Sequence, residues 1–344
     1  MTDWYTGGEI FYRALASVPL CVPTDDEDAD DQLRDAVRAY LVACAVRIHR
    51  SGASIGPRTA RAATFGTKGE AQALKPMSML IHPSSAKDGH FETADRVLSW
   101  LGQGSVTADD EPHPPEGRYL DVARLLRDIE SAPERWTRWL EEYRRSASVS
   151  AALLGVRSMP DGPPVGEWSD VRTLLVEEVI PGTSVSVINS DENADDRPDF
   201  SARHDGSGWR APRNLSTIFV SGNVMARGLT LDGLTTTLFT RTSTNPLADT
   251  QMQMQRWFGY RGAIIDLCRV FMSRAQVELF SMYHENDEAL RRDVLAAMTD
   301  RRLPDVEVLQ GHAFRATGKI ANVRGVPLFP GSKPFVRHLT PPSA

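Results

Sequence analysis

Apolar positions recur at helical spacing over residues 31–50, where Leu33, Val37, Tyr40, Leu41, Cys44 and Ile48 fall on one side, and that period predicts a helix. Acidic residues from Asp25 to Asp31 precede it and Arg47 and Arg50 close it, the order of charge that a helix dipole favours. The stretch 51–75 is rich in Gly, Ala, Arg and Thr without periodicity and reads as a linker. Met77-Ser78-Met79-Leu80-Ile81-His82 is a short apolar run closed by Pro83-Ser84-Ser85, the pattern of a buried strand entering a loop. Helical spacing returns over 91–101 and 120–145, with Trp136, Trp139 and Tyr143 near one face, and again near 168–179. The polar, proline-bearing segments 102–117 and 160–164 interrupt it. A β-rich run over 184–189 precedes the polar stretch 190–213, which reads as a long exposed loop. Apolar runs at 217–220, 235–239 and 267–272 follow, with a helical stretch at about 248–260 between the last two.

Short buried strands alternating with helices predict an α/β fold, a mostly parallel sheet flanked by helices. The expected organisation is an N-terminal helical segment and linker over 1–76, a main lobe over 77–300 with a helical insertion at about 102–180, and an extended, proline-rich tail over 301–344. The 344 residues suit about two domains or one enlarged one. A composition 41% hydrophobic and 24% charged excludes a disordered or fibrous chain.

The formal net charge of −6 excludes a polycation that coats nucleic acid, so any such contact has to be a local patch. Only five of the 39 basic residues are lysines. Cys21, Cys44 and Cys268 are far apart, with no zinc-ligand spacing, which fits a reducing cytoplasm. No apolar run reaches the ~18–20 residues of a membrane span, and the N-terminus lacks the layout of a signal peptide; the expectation is a cytoplasmic protein with no membrane partner.

In open parallel sheets the functional loops leave the C-terminal ends of the strands. After the run ending at Val220 comes Ser221-Gly222-Asn223-Val224-Met225-Ala226-Arg227-Gly228-Leu229-Thr230-Leu231, and after Phe239 come Thr240, Arg241 and Thr242. Asp249 then opens a stretch running through Gln253, Arg256, Trp257, Phe258, Gly259 and Tyr260 to Arg261. A guanidinium beside a glycine can clamp phosphate or carboxylate where the backbone passes close. Two fixed guanidiniums can neutralise charge on a transferring phosphoryl group.

These segments, together with Asp266-Leu267-Cys268-Arg269-Val270 and the earlier Met77–Ser84 run, resemble the Z-one domain, a family described as an endonuclease domain and found as the C-terminal part of larger bacterial ATPases. The likeness runs from about 31 to 300 and is most specific over 219–272. The arrangement is also similar to the second RecA-like lobe of superfamily 2 helicases. That resemblance implies a RecA-like sheet and a place in a DNA-acting system of bacterial defence or DNA processing. It implies that Gln253, Arg256 and Arg261 face ATP and its Mg²⁺, and that Arg227, Gly228 and Asp249 lie on the nucleotide side. Gln255 stands where the family's glycine usually precedes the first arginine, and the spacing to Arg261 is longer than usual.

A P-loop needs a lysine after a glycine to reach the β/γ-phosphates. Lys319 alone follows a glycine, and it precedes Ile320, with Ala313 where the first glycine would fall. The expectation is therefore that the chain binds no ATP by itself and completes a site whose P-loop lobe comes in cis or in trans. Two other readings stand beside this one. A metal-dependent nuclease would need an Asp and a Glu-x-Lys around Mg²⁺; Asp161, Asp199 and Asp305 each follow a proline, but no Glu-x-Lys follows them, and His82, His90, His113 and His204 lack metal-ligand spacing. No metal site is expected. A non-catalytic DNA-binding module would track the backbone with hydroxyls and arginines at strand ends, for which Ser84, Ser85, Thr240, Arg241 and Thr242 are the candidates.

Overall fold

The computed structural model describes residues 5–12, 19–52, 55–83, 86–101, 118–153, 164–191, 194–195, 197–222, 231–242 and 247–300. Residues up to 242 together with 256–277 make one compact unit, and the remaining described residues, 247–255 and 278–300, belong to a second.

The first unit opens with β1 (Tyr5–Thr6), α1 (Gly8–Phe11), β2 (Cys21–Pro23) and α2 (Ala29–Ser51). Asp28 caps α2 by accepting from the backbone N–H groups of Asp30 and Asp31, both at 2.8 Å, and Gly52 ends it in the left-handed conformation. From Ala36 to Val46 almost every side chain of α2 is buried, Arg38 among them. A helix covered on all sides belongs in the centre of a fold.

The presumed linker holds two short helices instead, α3 (Pro57–Ala62) and α4 (Lys68–Ala73). Thr67 and Glu70 form a reciprocal capping box at the start of α4, which satisfies donors that a six-residue helix would otherwise leave open. Then come β3 (Met77–His82), α5 (Lys87–Leu101), α6 (Val122–Ser131), α7 (Pro133–Leu153) and α8 (Trp168–Leu174). The last runs on through a π-helical turn at Leu175–Val179 to α9 (Ile180–Gly182). Most of the described insertion is helical; residues 118–121 and 164–167 are not, and Tyr119 forms an antiparallel bridge with Ser184.

β4 (Ser184–Ile188) is followed by a small antiparallel ribbon, β5 (Arg203–His204) and β6 (Trp209–Arg210). The expected exposed loop is thus partly structured: Trp209 exchanges backbone hydrogen bonds with Phe65, at 2.8 and 3.0 Å, and Ala202 and Ala211 are buried. β7 (Ser216–Ser221) and β8 (Leu234–Phe239) complete the middle of the sheet. Gly233 enters β8 at φ +65°, and a Cβ there would meet the Pro76 carbonyl oxygen at 1.7 Å, so no other residue fits the turn.

The helix expected over 248–260 is much shorter. α10 covers Ala248–Gln253 in the second unit, and the first unit resumes with β9 (Gly259–Tyr260), paired with β1. Gly259 sits at φ +142°, a conformation that excludes continued helix. A 3₁₀ turn (Gly262–Leu267), β10 (Arg269–Met272) and α11 (Arg274–Thr299) follow, α11 passing into the second unit.

Six strands form one wholly parallel sheet in the order β2-β10-β8-β3-β7-β4. Helices cover it, and every residue of β3, β4, β7, β8 and β10 is buried, as parallel sheets require. This is an α/β fold consistent with a RecA-like lobe. One expectation differs: the first 76 residues supply an edge strand, β2, rather than lying outside the sheet. Pro23 is tolerated there because an edge strand leaves one side unpaired.

The insertion is fastened to α2 by buried polar pairs. Asp128 accepts from the Arg38 guanidinium at 2.8 and 2.9 Å and from the Trp136 indole at 2.8 Å. Asp35 accepts from the Trp139 indole at 3.0 Å and from Arg138 at 2.5 Å. Trp136 and Trp139 are therefore packing residues with satisfied indole N–H groups.

Candidate functional site

Because all six strands run the same way, their C-terminal ends lie along one edge of the sheet. β3 ends at His82, β7 at Ser221, and β8 at Phe239, followed by Thr240 and Arg241. The Thr240 backbone N–H donates to the His82 carbonyl at 3.1 Å, and its hydroxyl reaches the same oxygen at 3.4 Å. Gln276 donates to the Arg241 carbonyl at 2.5 Å, holding the loop after β8 from the other side.

His82 is fully buried, edge-on to Phe239 with ring centroids 5.6 Å apart. Neither ring nitrogen has a hydrogen-bond partner of good geometry. Burial, and then the positive charges of Arg241, His90 and Arg256, push its pKa down to about 3, with the Ser221 backbone acting weakly in the opposite sense. The imidazole is thus neutral at pH 7, and Arg241 and Arg256 both lie near enough to it to lower its pKa. Both arginines are half-buried, and desolvation lowers the pKa of each. A guanidinium stripped of part of its water gains from an anion that restores its hydrogen bonds.

Arg261 has a different surrounding. It is buried, and its guanidinium donates to the carbonyl of Leu231 at 3.3 and 3.4 Å, of Arg256 at 3.4 Å and of Trp257 at 3.5 Å. These long bonds tie two backbone carbonyls of the Arg256 loop, and that of Leu231 ahead of β8, to one cation.

The other expected residues are placed as follows. Thr242 is exposed just beyond Arg241. Asp249 and the exposed Gln253 lie on α10 of the second unit, where the Asp249 carboxylate accepts from the Thr250 N–H at 2.7 Å. Gln251 and Gln255, not Gln253, are the buried glutamines of that segment. Ser84, Ser85, Arg227 and Gly228 lie outside the described residues. Among the described residues, no three His, Cys, Asp or Glu side chains group as a metal site, and no helix is long and apolar enough to cross a membrane.

The model of the Z1 domain family matches residues 32–310. The chain belongs to the Z1 domain family. No curated protein and no solved structure matches it. The Z1 match takes in β3, the insertion, the strand ends around His82 and the whole Arg256–Arg261 loop.

Within this Z1 domain the sequence marked His82 only as a candidate metal ligand, and the fold buries it completely. The residue closes an apolar run, and only the folded sheet brings Arg241 and Arg256, from distant segments, near enough to lower its pKa. A stability consequence follows from its depressed pKa. An unfolded chain takes up a proton on this imidazole near its ordinary value of 6.5, whereas the folded chain resists until about 3. The contribution is fully present above pH 6.5 and is lost as pH falls towards 3, at up to ~1.4 kcal/mol per pH unit. Urea unfolding of the wild type and His82→Phe at pH 7 and pH 5 should show a shallower pH dependence in the variant. Equal slopes would mean that this imidazole is not kept neutral.

Proposed function

We propose that the chain is the second lobe of a composite, DNA-acting ATPase. The C-terminal edge of its sheet meets the phosphates of a nucleotide held by a P-loop lobe in cis or in trans, and the adjoining loop touches DNA. The observation that carries this reading is that two half-buried arginines, Arg241 and Arg256, lie near enough to the buried His82 at the strand ends to lower its pKa. Two partly desolvated guanidiniums near a neutral histidine suit phosphate groups. The helicase-like order of the motifs supports the same reading, and none of the 344 residues forms a P-loop, so the nucleotide's principal cradle belongs elsewhere.

When bound, ATP with Mg²⁺ supplies the phosphoryl group and the metal charge that offsets its negative oxygens. In this reading Arg256 of the chain adds positive charge at the phosphates. Arg261 is a positioning residue, its guanidinium holding the carbonyls of the loop that carries Arg256. Arg241 and the neighbouring hydroxyls of Thr240 and Thr242 contact the DNA backbone, which coordinates nucleotide state and strand binding along one sheet edge.

The DNA part is tested with single strands of unrelated sequence titrated against the purified chain at several salt concentrations. Arg241→Ala should weaken binding about equally for every sequence and reduce the slope of log K against log salt by about one. An unchanged slope and affinity would take Arg241 out of the DNA contact.

A further inference from the structure

The opposite end of the sheet carries a second basic site. At the N-terminal ends of β4 and β7 lies a cavity of about 500 Å³ bordered by four arginines, Arg61, Arg203, Arg210 and Arg213, with Tyr119 and Ser216. Among the described residues, no carboxylate borders it. In a chain whose formal charge is −6, four cations around one cavity are a local excess of positive charge, and its volume is in the range of small-molecule sites.

The arginines differ in what they already hold. Arg210 is paired with Asp205 at 2.5 Å and donates to the carbonyls of Ala62 and Ala63 at 3.3 and 3.1 Å, so it mainly anchors the β5–β6 ribbon. The bond pairs between Phe65 and Trp209 hold the same ribbon against the chain before α4. Arg61 stacks over the Tyr119 ring, its guanidinium carbon 3.7 Å from the centroid. Stacking occupies the face of a guanidinium and leaves its N–H edges for an anion in the plane. Arg203 is exposed on β5, and among the described residues neither it nor Arg61 is paired with a carboxylate. Tyr119 is itself fixed, through an antiparallel bridge to Ser184. A braced aromatic ring, a stacked guanidinium and a second cation on an anchored ribbon form a site built before its ligand arrives.

We propose that this cavity binds a nucleotide phosphate, with Arg61 and Arg203 as its principal contacts. The chemistry is shared by a free nucleotide and by the 5′-phosphorylated end of a nucleic-acid strand. The site lies a full strand length from the Arg241–Arg256 edge, and it does not depend on a P-loop lobe.

The experiment measures binding of ATP, of inorganic pyrophosphate and of a short oligothymidylate with and without a 5′-phosphate to the full chain. The comparison is between the wild type, Arg61→Glu/Arg203→Glu, and Arg135→Glu/Arg145→Glu, which makes the same change of charge at exposed positions of α7. The cavity variant should lose at least about tenfold in affinity, while the α7 variant binds as the wild type does and both keep the wild-type circular dichroism spectrum. ATP binding displaced by pyrophosphate identifies a free nucleotide as the source. A preference of about tenfold or more for the 5′-phosphorylated oligonucleotide identifies a strand end. The proposal is overturned if no probe binds at ~1 mM in low salt, if the cavity variant binds every probe as the wild type does, or if the α7 variant loses as much as the cavity variant.

Discussion

Arg256→Ala should lower ATP turnover of the chain assembled with a P-loop lobe by about 10³-fold or more, the scale on which a charge-stabilising arginine acts in phosphoryl transfer. Alone, the chain should show no turnover. The arginine is half-buried and partly desolvated, near a neutral imidazole, so an anion that reaches it meets a charge less screened by water. Arg256→Lys should recover only part of the loss, because an ammonium keeps the charge without the planar fork. Arg261→Ala acts one step away. It frees the carbonyls of Leu231, Arg256 and Trp257, and should lower turnover with a concomitant loss of thermal stability that Arg256→Ala does not show. Wild-type turnover in Arg256→Ala, or robust hydrolysis by the isolated chain, would sink the composite site.

The second large effect concerns stability. Asp266, 1% exposed, accepts from both Nη atoms of Arg50 at 2.5 and 3.2 Å. Next to it Arg269 is also 1% exposed. Its guanidinium donates to the carbonyls of Asp266, Cys268 and Glu142 and to the Ser146 hydroxyl, and lies 4.9 Å from the Tyr143 ring. Burial drives the Arg269 pKa down while Tyr143, Asp266 and Cys268 oppose it. Asp266 is thus the carboxylate that offsets the buried Arg269 and the half-buried Arg50, which join α2, α7 and the start of β10. Asp266→Ala strands them and should cost ~3–5 kcal/mol, read as a lower urea midpoint. Asp266→Asn, which keeps the shape, should unfold at an intermediate midpoint. Adding Arg50→Met to Asp266→Ala should recover part of the loss, since the charge left unpaired is removed with it. A change below ~1 kcal/mol in Asp266→Ala would show that water or another group compensates.

These two arginine-rich segments show how far residue order alone reaches. β3 and α2 were legible because an uninterrupted apolar run and a three-to-four-residue period are local signals. β2 was not: Cys21-Val22-Pro23 is three residues long and contains a proline, and only its partner β10 makes it a strand. α4 carried a readable capping box in Thr67 and Glu70, masked by too few apolar positions. The helix over 248–260 was overextended because Gln, Met and Arg favour helix locally, while the turn at Gly259 is decided by pairing with Tyr5 and Thr6. At the site, Arg241 and Arg256 read as contacts for different ligands, one for DNA and one for ATP, because they leave different segments. Folding brings both near enough to His82 to lower its pKa. Arg261 read as a phosphate contact, but burial, which no local pattern reports, commits its guanidinium to carbonyls. The four arginines of the N-terminal cavity come from 61 and from 203–213, two stretches that read as linker and loop.

Pairing of β2 with β10 joins residues about 250 positions apart. At ~5–20 residues per second of synthesis, Cys21–Pro23 emerges roughly 12–50 s before its partner strand exists. α2, covered on nearly every side in the finished fold, emerges early as well, and its apolar surface has no paired strands to rest on until β7 follows β3 and β4 late in that interval. The time of greatest exposure for this protein is therefore on the ribosome, where a helper that shields apolar helices has the most to offer.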